Sequence, residues 1–138
     1  MIIEVLMAFR YEIKNQGLHL LVTSHGSPDT LDKFFDYIMA VVFTAIKEGL
    51  SCILVDETDV SNKFDAYDSV LMSEKFDENS LQFLGIRVAL IARPHNLTGY
   101  KNLETSLQNR SFNMKAFDDL KEGKTWLLRA CVLTDEAI

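Results

Sequence analysis

The sequence predicts an α/β domain, a single mixed five-stranded sheet with four helices in the order β-β-α-β-α-β-α-β-α. Three observations carry this. Residues 87–92 (RVALIA) are a short apolar run halted by Arg93-Pro94. A helical pattern over about residues 97–110, a strand at about 113–117 and a last helix through Trp126 follow it. Strand, helix, strand and helix in so short a stretch require a right-handed parallel crossover. Residues 51–55 (SCILV) form a second continuous apolar run ending at Asp56, as in a central parallel strand covered on both faces. Near the N-terminus, Phe9, Tyr11 and Ile13 alternate with Arg10, Glu12 and Lys14, the period of a half-buried strand.

The remaining elements follow in order. Asn15-Gln16-Gly17 supplies a turn in which Gly17 can take positive φ, and residues 18–23 return as the second strand, with His19 inside it. Residues 1–7 read equally as a short extra strand or a tail. Ser27-Pro28-Asp29 reads as a helix start: a capping side chain, a proline in the first turn and an acid at the positive dipole end. Leu31, Phe34, Phe35, Ile38, Val42 and Ile46 then recur at three- and four-residue steps as one apolar face, widened by Met39, Val41 and Phe43. Gly49 closes this helix as a left-handed cap. A further helix is expected over about residues 65–83, with Val70, Leu71 and Phe76 turned inward.

Bulk properties narrow the function classes. The chain of 138 residues is expected to be one domain, 1–138, with a core over about 9–128. Its net charge of −6, with no run of three basic residues, argues against nucleic acid as a partner, since such binding needs clustered cations. The apolar segment 38–46 is too short to span a bilayer and is flanked by Asp32, Lys33, Asp36, Lys47 and Glu48. No basic region precedes the N-terminal apolar residues and no small-residue cleavage site follows them. A cytoplasmic protein without membrane insertion is therefore expected. Cys52 and Cys131 show neither framework nor metal spacing and read as two reduced structural thiols.

In order and spacing the chain resembles the STAS domains (sulfate transporter and anti-sigma-factor antagonist) of the SpoIIAA-like superfamily, over about residues 9–128. The resemblance is carried by residues 53–60 (ILVDETDV), 87–92 (RVALIA) and 108–118 (QNRSFNMKAFD). These are hydrophobic patterns more than chemical motifs. It implies a regulatory domain that binds a protein partner through the loop after the third strand and the start of the following helix. Anti-sigma-factor antagonists of that family carry Asp-Ser-Ser-Gly there, with a serine phosphorylated by a partner kinase. Here the corresponding residues are Asp65-Ala66-Tyr67-Asp68, so both serines and the glycine are missing, although Ser61 and Ser69 stand nearby. The resemblance thus assigns partner binding to Asp59, Ser61, Asp65, Tyr67, Asp68 and Ser69. At the level of fold alone, the lipid-binding CRAL-TRIO domains are also similar.

Ligands of open α/β sheets bind beyond the carboxyl ends of the parallel strands. That edge should gather Thr23-Ser24-His25, Asp56-Glu57-Thr58-Asp59, Arg93-Pro94-His95 and Asp118-Asp119. His25, Asp56, Arg93 and His95 are candidate ligand residues, with Arg93 expected to pair with Asp56 or Glu57 in a solvated acidic rim. No HxH, HxxxH or glycine-flanked DxD pattern supports a metal site. No GxSxG elbow, GxGxxG or GxxxxGK[ST] loop occurs either. The residues therefore predict a non-enzymatic domain with no catalytic residues, metal or cofactor. The surplus of Phe and Met leaves two further readings: a carrier or sensor for a small apolar or amphipathic ligand between helices and sheet, and a homodimer through the first helix.

Overall fold

The computed structural model describes residues 8–61, 65–78, 83, 85–108 and 112–137; residues 1–7, for which the sequence left two readings, lie outside them. Five strands form one sheet in the spatial order β1 (Arg10–Asn15), β2 (Leu20–Gly26), β3 (Cys52–Val60), β4 (Arg87–Ala92) and β5 (Asn113–Phe117). β1 pairs antiparallel with β2, and every other pair is parallel. Between them run α1 (Leu31–Lys47), α2 (Ala66–Glu78) and α3 (Pro94–Gln108), and α4 (Leu120–Ala137) follows β5. Among the described residues the predicted class, strand number, helix number and element order are all present.

Because successive parallel strands are neighbours, the chain steps across the sheet in one direction. Right-handed crossovers then put α1, α2 and α3 on the same face. The larger core lies there, with Phe34 and Val42 from α1, Met72 and Phe76 from α2, and Tyr100 and Leu107 from α3 over Val22, Ile53, Val55 and Leu90. Among the described residues α4 alone covers the opposite face, where Leu127 packs on Leu54, Ala89, Ile91 and Phe117. Arg87 lies over the Trp126 ring of that helix, 3.7 Å from its centroid.

Several expectations shift. α1 begins three residues after Pro28, capped by Thr30, whose Oγ1 accepts from the Lys33 N–H at 3.1 Å. Gly49 does end it, at φ 73°. Ile46, Phe43 and Val70, read as inward, are exposed, because a helix presents a stripe to the sheet and all three fall beyond its rim. His19 precedes β2 in the turn, where it is buried with Nδ1 unpartnered, and burial lowers its pKa, with Lys124 adding to the effect. The two cysteines are not free thiols: Cys52 at the start of β3 and Cys131 in α4 form a disulfide, with Cα atoms 6.3 Å apart. Their separation of 79 residues hid the pairing, which only the docking of α4 on β3 creates.

Candidate functional site

The carboxyl edge of the sheet is shaped by an irregularity in β3. Thr23 pairs with Asp56, but His25 pairs with Asp59, so β3 holds one more residue than β2 across this step. Such a bulge changes which side chains face inward. Thr58 and Asp59 both turn to solvent, while Glu57 and Val60 are fully buried. The bulge thereby brings Asp59 against His25, whose Nδ1 lies 2.6 Å from Asp59 Oδ2.

Arg93, just beyond β4, completes this cluster. Its Nη2 lies 3.2 Å from Asp59 Oδ1, and its Nε donates to the Thr58 carbonyl. The expected pairing of Arg93 with Asp56 or Glu57 is corrected, because Asp56 is engaged locally and Glu57 is out of solvent. Asp56 Oδ1 accepts from the Thr58 N–H at 3.1 Å and from Thr58 Oγ1 at 2.8 Å. The His25 hydrogen bond holds the Asp59 carboxyl below its usual range, and the charges of His25, Arg93 and Arg10 add to the effect. His95 is exposed on the first turn of α3, with no hydrogen bond or ion pair among the described residues. Of the four candidate ligand residues, the fold therefore brings together His25 and Arg93.

The start of α2 is built by two carboxylates. The Asp65 N–H donates to Asp68 Oδ2 at 3.0 Å, and the Asp68 N–H donates to Asp65 Oδ1 at 2.9 Å. This reciprocal capping satisfies two N–H groups of the first turn and sets negative charge at the positive end of the helix dipole. It also fixes the backbone at Tyr67, a residue that stands 69% exposed between the two acids. Ser61 is exposed, and its N–H donates to the Gly26 carbonyl at 2.9 Å. Ser69 points the other way: it is buried, and its Oγ donates within α2 to Asp65 O at 3.2 Å and lies 3.5 Å from Gly99 O of α3.

Beneath this surface lies a polar cluster that the sequence reading missed. Glu57 is fully buried on the three-helix face, at the position where the alternation of Ile53 and Val55 calls for an apolar residue. Tyr37 of α1 donates to Glu57 Oε2 at 3.0 Å, and Tyr100 of α3 donates to Oε1. Ser24 of β2 shares a hydrogen bond of 2.6 Å with Tyr37. One turn before Tyr100, Asn96 donates to the Val60 carbonyl at 2.9 Å, so α3 is fastened to β3 at two points. Burial raises the pKa of Glu57 to about 7, the Tyr100 and Tyr37 hydroxyls oppose that rise, and the Asp56 charge adds to it. Burial and the neighbouring Glu57 likewise push the Tyr37 hydroxyl well up, keeping it a donor. The only sequence signal for this cluster was an acid at an inward strand position, and a run of neighbouring acids masked it.

A crevice between α1, α2 and α3 reaches this cluster, walled by Phe34, Asp68, Ser69, Met72, Asn96 and Tyr100 among others. Its free volume is about 20 Å³, room for roughly one water. Ligand pockets run to several hundred Å³, so this crevice gives the ligand-carrier reading no support. Among the described residues no group of three or more His, Cys, Asp and Glu side chains is placed to hold a metal, and no helix is long and apolar enough to cross a membrane.

No protein-family model matches the chain, and no curated protein sequence matches it. Solved structures do. An anti-sigma factor antagonist from Mycobacterium paratuberculosis superposes with a TM-score of 0.55 at 8% identity, covering 87% of this chain and 94% of the other. An uncharacterised protein with a SpoIIAA-like fold from Shewanella loihica superposes with a TM-score of 0.50 at 16% identity, again over 87% and 94% of the two chains. With its strand order, its three-helix face and these two likenesses, the chain has the SpoIIAA-like fold of the STAS domains.

Proposed function

We propose that the protein is a non-enzymatic regulatory domain of the STAS type, binding a protein partner through the surface formed by Asp59, Ser61, Asp65, Tyr67 and Asp68, with Ser69 seating that surface from below. The observation that carries this reading is the first turn of α2. Two carboxylates cap each other there and order the backbone of a turn on which Tyr67 stands exposed. An exposed tyrosine on an ordered turn makes a good interface anchor, since it offers a large contact area with only two side-chain torsions to fix on binding. The reading is also supported by the structural similarity to a protein described as an anti-sigma factor antagonist. Arg93 adds a cation and His25 an imidazole beside Asp59, giving the surface both signs of charge.

Affinity capture from host extract tests it. Tyr67→Ala keeps both caps and is expected to weaken capture of the partner at least tenfold, as is Asp65→Lys combined with Asp68→Lys. Capture unchanged by either variant overturns the assignment. Differently tagged copies of the chain in the same experiment read out self-association through the exposed Phe43 and Ile46 of α1.

A further inference from the structure

A fully buried carboxyl without a counter-cation is rare in proteins, because the charged form loses its hydration and gains little in return. Glu57 is such a group. β2 sets Ser24 near it through Tyr37, α1 contributes Tyr37, and α3 contributes Tyr100. β4 pairs Ala92 beside it, and the nearest charge on its own strand is that of Asp56. Beyond Tyr100, across the crevice, α2 contributes Asp68 and Ser69. No lysine, arginine or histidine pairs with Glu57 among the described residues. Among the described residues its side-chain hydrogen bonds are to the Tyr37 and Tyr100 hydroxyls, and a hydroxyl either donates to a carboxylate or accepts from a carboxylic acid.

We propose that Glu57 is a proton-operated latch that sets how firmly the start of α2 is seated against α3. This rests on the reading of that turn as the partner surface and adds its regulation. With the carboxylate ionised, Tyr100 donates to Oε1. A proton on Oε1 reverses that bond: Glu57 donates, Tyr100 accepts, and the Tyr100 hydrogen turns away from the strand. The protonated core is dry and neutral, and the crevice stays closed. Ionisation places an uncompensated charge behind Tyr100, on the same side as the Asp68 carboxylate. Two effects then act in one direction. Water is drawn into the crevice toward the charge, and Asp68 is repelled from its wall. Both loosen the packing of α2 on α3, where Ser69 Oγ lies 3.5 Å from the Gly99 carbonyl. Raising the pH should thus free the turn that holds Tyr67.

Nuclear magnetic resonance on the intact chain, titrated from pH 5 to pH 9, tests this without a partner. The Glu57 side-chain carboxyl is expected to titrate with a midpoint near 7. The amides of Ser69, Asn96 and Gly99 should shift with the same midpoint, and their exchange, corrected for intrinsic rate, should speed up above it. In Glu57→Gln those amides should stay flat. A Glu57 midpoint at the ordinary carboxylate value overturns the latch, as do α2 amides that ignore its titration or that still shift in Glu57→Gln. Loss of the partner surface would appear only in the capture experiment, so the two failures are separable.

Discussion

Glu57 fills an inward position of a central strand, and its protonation ties the stability of the whole domain to pH. The folded-state pKa of about 7 lies above the ordinary 4.5. Between those values the native state keeps a proton that the unfolded chain has released. Stability from this group is therefore complete below about pH 4.5 and declines as pH rises through about 7, by roughly 3 kcal/mol in all. Urea unfolding of wild type and Glu57→Gln at pH 5 and pH 8 isolates the effect. Wild type should lose stability relative to the variant on going to pH 8, and parallel behaviour would refute the assignment. At this scale the sequence was least legible. Glu57 stood in a run of acids that looked like a solvated rim, and its partners Tyr37 and Tyr100 lie 20 and 43 residues away. His25 and Arg93 were legible as edge residues, but the bulge that selects Asp59 over Asp56 leaves no mark in the chain.

The elements were read more accurately than their faces. The apolar runs of β3 and β4 and the Gly49 cap hold because each has a local cause. The inward sets of α1 and α2 were drawn too wide, taking in Phe43, Ile46 and Val70 while Phe34, Val42 and Phe76 hold, since periodicity gives the direction of a stripe and not its width. α4 shows the opposite case, a close approach that depends on one residue. A Cβ at Gly123 would overlap Ile91 Cδ1 and lie 3.1 Å from Phe117 Cδ2, so the helix backbone rests directly on β4 and β5. Gly123→Ala should gain up to about 1 kcal/mol of helix propensity and lose about 1–3 kcal/mol to overpacking. Ile91→Val removes the overlapping methyl group. Thermal unfolding of the four proteins of that cycle should show Gly123→Ala neutral or stabilising in the Ile91→Val background and costly without it. Equal costs in both backgrounds would mean that α4 does not sit so close.

For the molecule as a whole, consecutive strand order decides the architecture. Three crossovers of one hand stack three helices on one side and leave the other side to α4 alone. That face has the smaller core, built around the Cys52–Cys131 bond. Closing a loop of this length stabilises a fold by roughly 4 kcal/mol in the chain-entropy account. Denaturant unfolding with and without reductant should recover a difference of that order, and a Cys52→Ser, Cys131→Ser variant should match the reduced protein. No difference would show that the bond does not close in solution. The order of elements along the chain was legible because apolar runs and short connections admit few topologies. The covalent tie was not, because neither cysteine has a local signature. Cys131 lies C-terminal to all five strands. On a ribosome, every strand has therefore been made before the second sulfur emerges, and the bond can form only once β3 and α4 have met. Whatever the chain does before that moment, it does as a thiol protein; afterwards the covalent mark certifies that synthesis ran past the sheet and that the last helix found its place.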